Sequence, residues 1–288
     1  MRTILIPTDF SAPSRNAAIY AINLFGSGAR YILLNGYTMP SHRSAAMMIN
    51  LDEELESQSV SNLKKEKKKI LDHFGNDNIQ MDMRAEPGNF LACVERVCKS
   101  DDVNCVVMGS KGSTGLESVF IGSNSYSVAR EATCPVIIVP EHAQNTGLKK
   151  VVYTADYNFK GIDFEKGDKY IIDLVSSQKA AFNVFHIFKP DDADQDDVAA
   201  KERLAARFGT LNPNFHSEIR DNIADGIDNF VDHTEADMVI MRARESGFFD
   251  SVFKTSITRK IALHTRVPVL VINEHFRLDS KASEPLNN

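Results

Sequence analysis

Short runs of aliphatic residues recur along the chain, separated by stretches whose apolar positions fall three and four apart. Arg2 to Pro7 reads as a strand buried on both faces. Ala17, Ala18, Ala21, Ile22 and Phe25 mark one stripe of a helix, which Ser11 or Ser14 is placed to cap and Gly26-Ser27-Gly28 to stop. Tyr31 to Leu34 is a second strand. Asn35-Gly36-Tyr37 leads into an expected loop over Thr38 to Asn50, and a polar helix follows over about Leu51 to Phe74. Ile79 to Arg84 alternates as a third strand, and Phe90, Val94 and Val97 mark the next helix. Cys105 to Met108 is a fourth strand. Tyr126, Val128, Ala129 and Ala132 recur at helical spacing, and Val136 to Val139 follows Pro135 as a fifth strand.

This alternation implies an α/β fold, an open parallel sheet with helices on both faces. Right-handed crossovers favour the strand order 3-2-1-4-5. The order reverses between strands one and four, so their carboxyl ends, at Asp9 and Gly109, are expected to flank a ligand crevice.

The pattern restarts at Lys149. Val151 to Thr154 repeats the first strand, and Asp156 stands where the first copy has Asp9. Phe182 to Phe185 repeats the second strand, with His186-Ile187 at the place of Asn35-Gly36. An acidic segment, Asp191 to Asp197, enters a shorter helix ending near Phe208-Gly209. Phe215 to Arg220 is the third strand and Ile223 to His233 the next helix. From Val103 onward the two copies align without a gap: Met108 with Met241, Ser118-Val119-Phe120 with Ser251-Val252-Phe253, Pro135-Val136 with Pro268-Val269. The chain thus reads as two tandem five-stranded parallel sheets, one domain over 1–142 and one over 149–274, with a polar tail over 275–288.

One stretch carries chemistry. After the strand ending at Met108 come Gly109, Gly112 and, nine residues on, Gly122-Ser123. Glycines at a strand end let a ligand approach the backbone. Ser123 is a good helix cap, and a helix start offers unpaired N–H groups to an anion. Together these make a phosphate cradle. The pattern is neither a P-loop, since Lys111 precedes Gly112 instead of following a second glycine, nor a Rossmann fingerprint, which follows a first strand. In the second copy Arg242 stands at Gly109, Glu245 at Gly112 and Thr255 at Gly122; only Ser256 is kept. That copy reads as structural, or as a site for another anion using Arg242 and Arg244.

Charge narrows the partners. The 288 residues carry a net charge of −6, which argues against nucleic acid or an anionic membrane. The run Lys64 to Lys69 lacks aromatic partners for bases and reads as a solvated helix face. No apolar run reaches membrane-spanning length, and MRTILIPTDF reads as a strand and not as a signal peptide. The four cysteines form no Cys-x-x-Cys pair and the eight histidines show no ligand spacing. No structural metal and a cytoplasmic location are therefore expected.

The series Gly109-x2-Gly112-x9-Gly122-Ser123, with Pro7-Thr8-Asp9-Phe10-Ser11 and Cys134-Pro135-Val136-Ile137-Ile138-Val139, resembles the ATP-binding branch of the universal stress proteins. The likeness extends over nearly the whole chain as a tandem pair. It implies an adenine-nucleotide α-hydrolase-like fold and ATP, with Mg2+, as the ligand. It places Pro7, Thr8, Asp9 and Gly36 at the adenine end. Met108, Gly109, Lys111, Gly112, Gly122, Ser123 and Asn124 would hold ribose and phosphates. Gly36 departs from the bulkier apolar residue usual there. The likeness also implies pairing through the last strands, here within one chain, Val136 to Val139 against Val269 to Asn273; a further homodimer stays open.

Phosphoryl transfer wants a positioned base and cation clamps. Lys111, Ser113, Thr114 and Ser123 supply no convincing base, so the expectation is a nucleotide-binding stress-response regulator or sensor and not an enzyme. A nucleotide-independent scaffold using Phe248-Phe249, a slow ATPase, and an acyl or thiol enzyme of the wider group remain as alternatives.

Overall fold

A computed structural model describes residues 1–38, 45–75, 78–110, 122–144, 147–157, 165–190, 198–243, 266–273 and 275–276, with the side chains of 45–50 and 165 excepted. In the first half, β1 (Thr3–Pro7), β2 (Arg30–Tyr37), β3 (Gln80–Pro87), β4 (Cys105–Gly109) and β5 (Val136–Val139) alternate with α1 (Ala12–Phe25), α2 (Ala45–Phe74), α3 (Phe90–Ser100) and α4 (Ser123–Glu131). In the second half, β6 (Lys150–Thr154), β7 (Ala181–Phe188), β8 (Asn214–Ile219), β9 (Met238–Ala243) and β10 (Val269–Asn273) alternate with α5 (Glu165–Gln178), α6 (Val198–Phe208) and α7 (Ile223–Thr234).

Each half has the expected order, and the two halves form one sheet: β3-β2-β1-β4-β5-β10-β9-β6-β7-β8. Pairing is parallel within each half. Where the halves meet it is antiparallel, with Val269 opposite Ile138, Leu270 opposite Ile137 and Val271 opposite Val136. All the residues of β5 and β10 are buried. Two apolar strand edges that would otherwise invite aggregation satisfy each other.

Continuous apolar strands have two faces to bury, and the helices cover both. On one face α1, α2, α5 and α6 pack a core that includes Ile4, Ile6, Tyr31, Leu33, Ile137, Phe182 and Leu270. On the other, α3, α4 and α7 cover Leu5, Ile32, Val106, Ile138, Val239 and Val271. The two copies pin their first strands alike. Asn104 Oδ1 accepts from Thr3 N at 2.7 Å, and Asp237 Oδ2 accepts from Lys149 N and Lys150 N at 2.7 and 2.8 Å.

Local chemistry sets the helix ends. Ser11 caps α1 by accepting from Ser14 N, and Gly26 ends it at φ +73°, a conformation that favours glycine. Two expectations need correction. The long helix starts at Ala45, not near Leu51, so it takes in Met47 and Met48; the polar loop residues gave no stop signal strong enough to delay it. The cap of α4 is Gly122, not Ser123, and no side chain caps it. Ser123 is the first helical residue, because the glycine already has the extended cap conformation.

Burial pushes the Cys105 thiol up to about 12, and the hydrogen bond with the neighbouring Cys98 thiol, then burial, raises Cys134. The Cys98 and Cys134 sulfurs lie 3.7 Å apart, a proximity that spacing in the sequence does not reveal.

Leu270 is fully buried in the joint between the halves. Leu270→Ala is expected to lower stability by roughly 2–5 kcal/mol, read as a lower urea midpoint. A loss below ~1 kcal/mol would mean the joint is not packed as described.

Candidate functional site

The carboxyl ends of β1 and β4 lie side by side. The strands pair in parallel, Ile4 with Cys105 and Leu5 with Val106, so Asp9 and Gly109 emerge at the same edge of the sheet. Pro7 is buried opposite Leu34. Thr8 N donates to Leu34 O at 2.7 Å, and the Thr8 hydroxyl bonds to Ser14 Oγ at 3.0 Å and accepts from Phe10 N at 3.0 Å. The Thr8 side chain is therefore committed to shaping the turn, which carries Phe10 at φ +66°. Asp9 is exposed. Its Oδ1 accepts from Ser11 N at 3.1 Å and Ser11 Oγ at 2.5 Å, an arrangement that holds the carboxylate at the mouth of the crevice.

Asn35 sits at the end of β2. Its amide donates to Thr8 O at 2.8 Å, and its oxygen accepts from Ser59 Oγ of α2 at 2.7 Å. Asn35 and Ser59 thus fix the β1 turn from behind. The sequence pattern did not single out either residue for this role. Gly36 follows. A Cβ there would lie 3.4 Å from Cys93 Sγ and 3.8 Å from Phe90 Cδ2, so α3 fills the space where a larger side chain would point. Tyr37 comes next. Burial, then the Asp52 and Glu56 carboxylates, push its phenol up to about 12, and Asp52 bonds to it.

Met108 and Gly109 end β4, both buried. Ser110 N donates to Val139 O at 2.9 Å, and Gly122 N donates to Ser110 O at 2.7 Å. Ser110 and Gly122 therefore lie side by side. Lys111 and Gly112 lie outside the described residues, as do Ser113 and Thr114. Ser125 Oγ donates to Gly109 O at 2.8 Å, tying the first turn of α4 to the end of β4. The N–H groups of Ser123, Asn124 and Ser125 precede the first intrahelical donor, Tyr126 N, and no side chain caps them. They give this end of the crevice anion-binding character. Of the residues expected at the site, Pro7, Thr8 and Asp9, Met108 and Gly109, and Gly122, Ser123 and Asn124 come from adjoining elements at one sheet edge. Gly36 stands one strand further out.

The same place in the second half is built differently. Arg242, in the position of Gly109, is buried and donates from Nε to Tyr153 OH at 2.7 Å; its Nη2 makes an ion pair with Asp168 of α5. Arg207 of α6 reaches the other oxygen of Asp168 at 3.1 Å. The guanidinium that the sequence offered as an anion partner is thus engaged inside the fold. At the other end of the crevice Tyr157, also buried, stacks on His186 with ring centres 4.0 Å apart, and His186 Nδ1 bonds to Ala155 O at 2.9 Å. At Arg242 a guanidinium thus stands where the first half has a glycine, Gly109. Glu245, Thr255, Ser256, Arg244, Phe248 and Phe249 lie outside the described residues. Among the described residues no three His, Cys, Asp or Glu side chains gather as a metal site, and no helix is long and apolar enough to cross a membrane.

A model of the universal stress protein family matches residues 1–140 and 174–273. A universal stress protein of Methanocaldococcus jannaschii is 30% identical over 145 residues, 48% of this chain and 81% of that protein. One of Bacillus subtilis is 25% identical over 136 residues, 46% of this chain and 92% of its own length. The crystal structure of a universal stress protein from Archaeoglobus fulgidus superposes with a TM-score of 0.66 at 16% identity, over 94% of this chain and 96% of that one. At that identity the superposition bears on the fold alone.

Arg242→Ala removes from the buried Asp168 carboxylate one of the two guanidinium partners described, the other being Arg207. The expected loss is about 3 kcal/mol in urea unfolding. An unchanged midpoint would show that the cluster does not hold β9 to α5.

Proposed function

The chain belongs to the universal stress protein family, and we propose that its first half binds ATP and that the protein acts as a cytoplasmic stress-response regulator or sensor. The carrying observation is the meeting of two features at one sheet edge: exposed Asp9, and the glycine-bordered start of α4 with its uncapped N–H groups. In this reading Pro7, Thr8, Asp9 and Gly36 receive the adenine end, where Cys93 and Phe90 of α3 pack against Gly36. Met108 and Gly109 border the ribose. Lys111, Gly112, Gly122, Ser123 and Asn124 hold the phosphates, the last three at the helix start. Magnesium enters with the triphosphate and is carried by its oxygens.

The reading favours binding over hydrolysis. Asp9, the carboxylate that follows β1, is engaged by Ser11 and stands at the adenine end. A base for water would have to stand at the other end. The second half acts as a structural partner, its Arg242 standing engaged where the first half has Gly109.

Gly122→Leu places a side chain where the phosphates would lie. By isothermal titration the wild type is expected to bind ATP and this variant to lose at least tenfold in affinity. Unchanged affinity, or no binding by the wild type, contradicts the proposal.

A further inference from the structure

The helix that supplies the phosphate end of the first crevice is held at its other end by the second half. α4 is nine residues long, too short to be stable on its own. Its start is tied to β4 through Ser125 Oγ and Gly109 O and through Gly122 N and Ser110 O. Its end depends on Asn273, the last residue of β10. Asn273 Nδ2 donates to Ala129 O at 3.1 Å and to Ala132 O at 2.6 Å, two carbonyls that the helix cannot satisfy itself. Asn273 Oδ1 accepts from His275 N at 3.0 Å and Phe276 N at 3.2 Å, so both ends of the amide are fixed. The residue is 1% exposed, and water cannot substitute for it.

The joint between the halves explains why this residue reaches that helix. Val271 lies opposite Val136, and the antiparallel register continues past the start of β5 toward the turn at Cys134, where α4 ends. The device runs one way. The first-half residue that corresponds to Asn273 in the repeat is Pro140, whose side chain has no donor.

We propose that Asn273 is a positioning residue for the nucleotide site of the first half: the second half sets where α4 lies and so where its phosphate-binding N–H groups point. This rests on the nucleotide reading above and gives the second copy a part in ligand binding. Positioning acts on the phosphate end alone, because the adenine end is carried by the β1 turn, Asn35 and Ser59, which do not touch α4 in the contacts described.

The test uses the full chain with Asn273→Ala and Asn273→Asp. The aspartate keeps the acceptor for His275 and Phe276 but presents oxygen to two carbonyls. Gln178→Ala, which removes a different contact between the halves, to Leu24 O at 3.4 Å, serves as control. Titrations with ATP and with adenosine are paired with hydrogen exchange of the Gly122 and Tyr126 amides in nucleotide-free protein. The expected result is ATP affinity weaker by roughly fivefold to tenfold, adenosine affinity changed less than about twofold, faster exchange at both amides, and none of these changes in Gln178→Ala. Equal losses for the two ligands, unchanged ATP affinity, or the same effects in the control would overturn the proposal. Should Asn273→Asp not fold, Asn273→Ala carries the comparison. If wild-type protein binds no ATP, the nucleotide reading fails by itself. The two amides then decide the positioning claim: faster exchange upholds it, and unchanged exchange ends it.

Discussion

The antiparallel contact of β5 with β10 is the constraint on which the rest depends. Each half alone would present a four-residue run of apolar edge strand, Val136 to Val139 or Val269 to Ile272, to solvent. Pairing them satisfies the main chain and makes one ten-stranded sheet with two continuous cores. It also fixes the rotation of one half against the other, because a sheet register admits no gradual adjustment. Everything at the crossing point follows: Gln178 bonds to Leu24 O, and Asn273 bonds to the last carbonyls of α4.

Duplication freed one copy to change. Both copies keep the elements that hold a strand in place, such as Asn104 and Asp237 beneath the first strands. They differ at the other edge of the sheet. There the first copy ends β4 in glycine and starts α4 without a side-chain cap, whereas the second ends β9 in a buried Arg242–Asp168 pair and stacks Tyr157 on His186. A buried pair of that kind contributes little net stability against apolar packing, but removing one partner is costly. The change is therefore hard to reverse by a single substitution. Gly167 shows how tightly the second copy has closed: a Cβ there would stand 2.8 Å from Ile272 Cγ2.

Much of this was legible in the chain. Strand order, the repeat and the meeting of Asp9 with Gly109 follow from apolar runs and from the reversal of order between strands one and four, and family and fold agree with that reading. The substitution of Arg242 for Gly109 was visible too, but its partner was not. Asp168 lies 74 positions away on a helix with no distinguishing pattern. Asn35, Ser59 and Asn273 escaped for the same reason: each is a common polar residue whose role is a contact with main chain far along the sequence, and side-chain periodicity carries no record of such contacts. The early start of α2 and the glycine cap of α4 were missed because cap preferences rank residue types, while local backbone conformation decides among near equals.

An asymmetric pair makes a countable claim. Equilibrium dialysis of the full-length protein against labelled ATP measures how many nucleotides each chain holds at saturation. One per chain is the number the account predicts. Two per chain, or none, would contradict it.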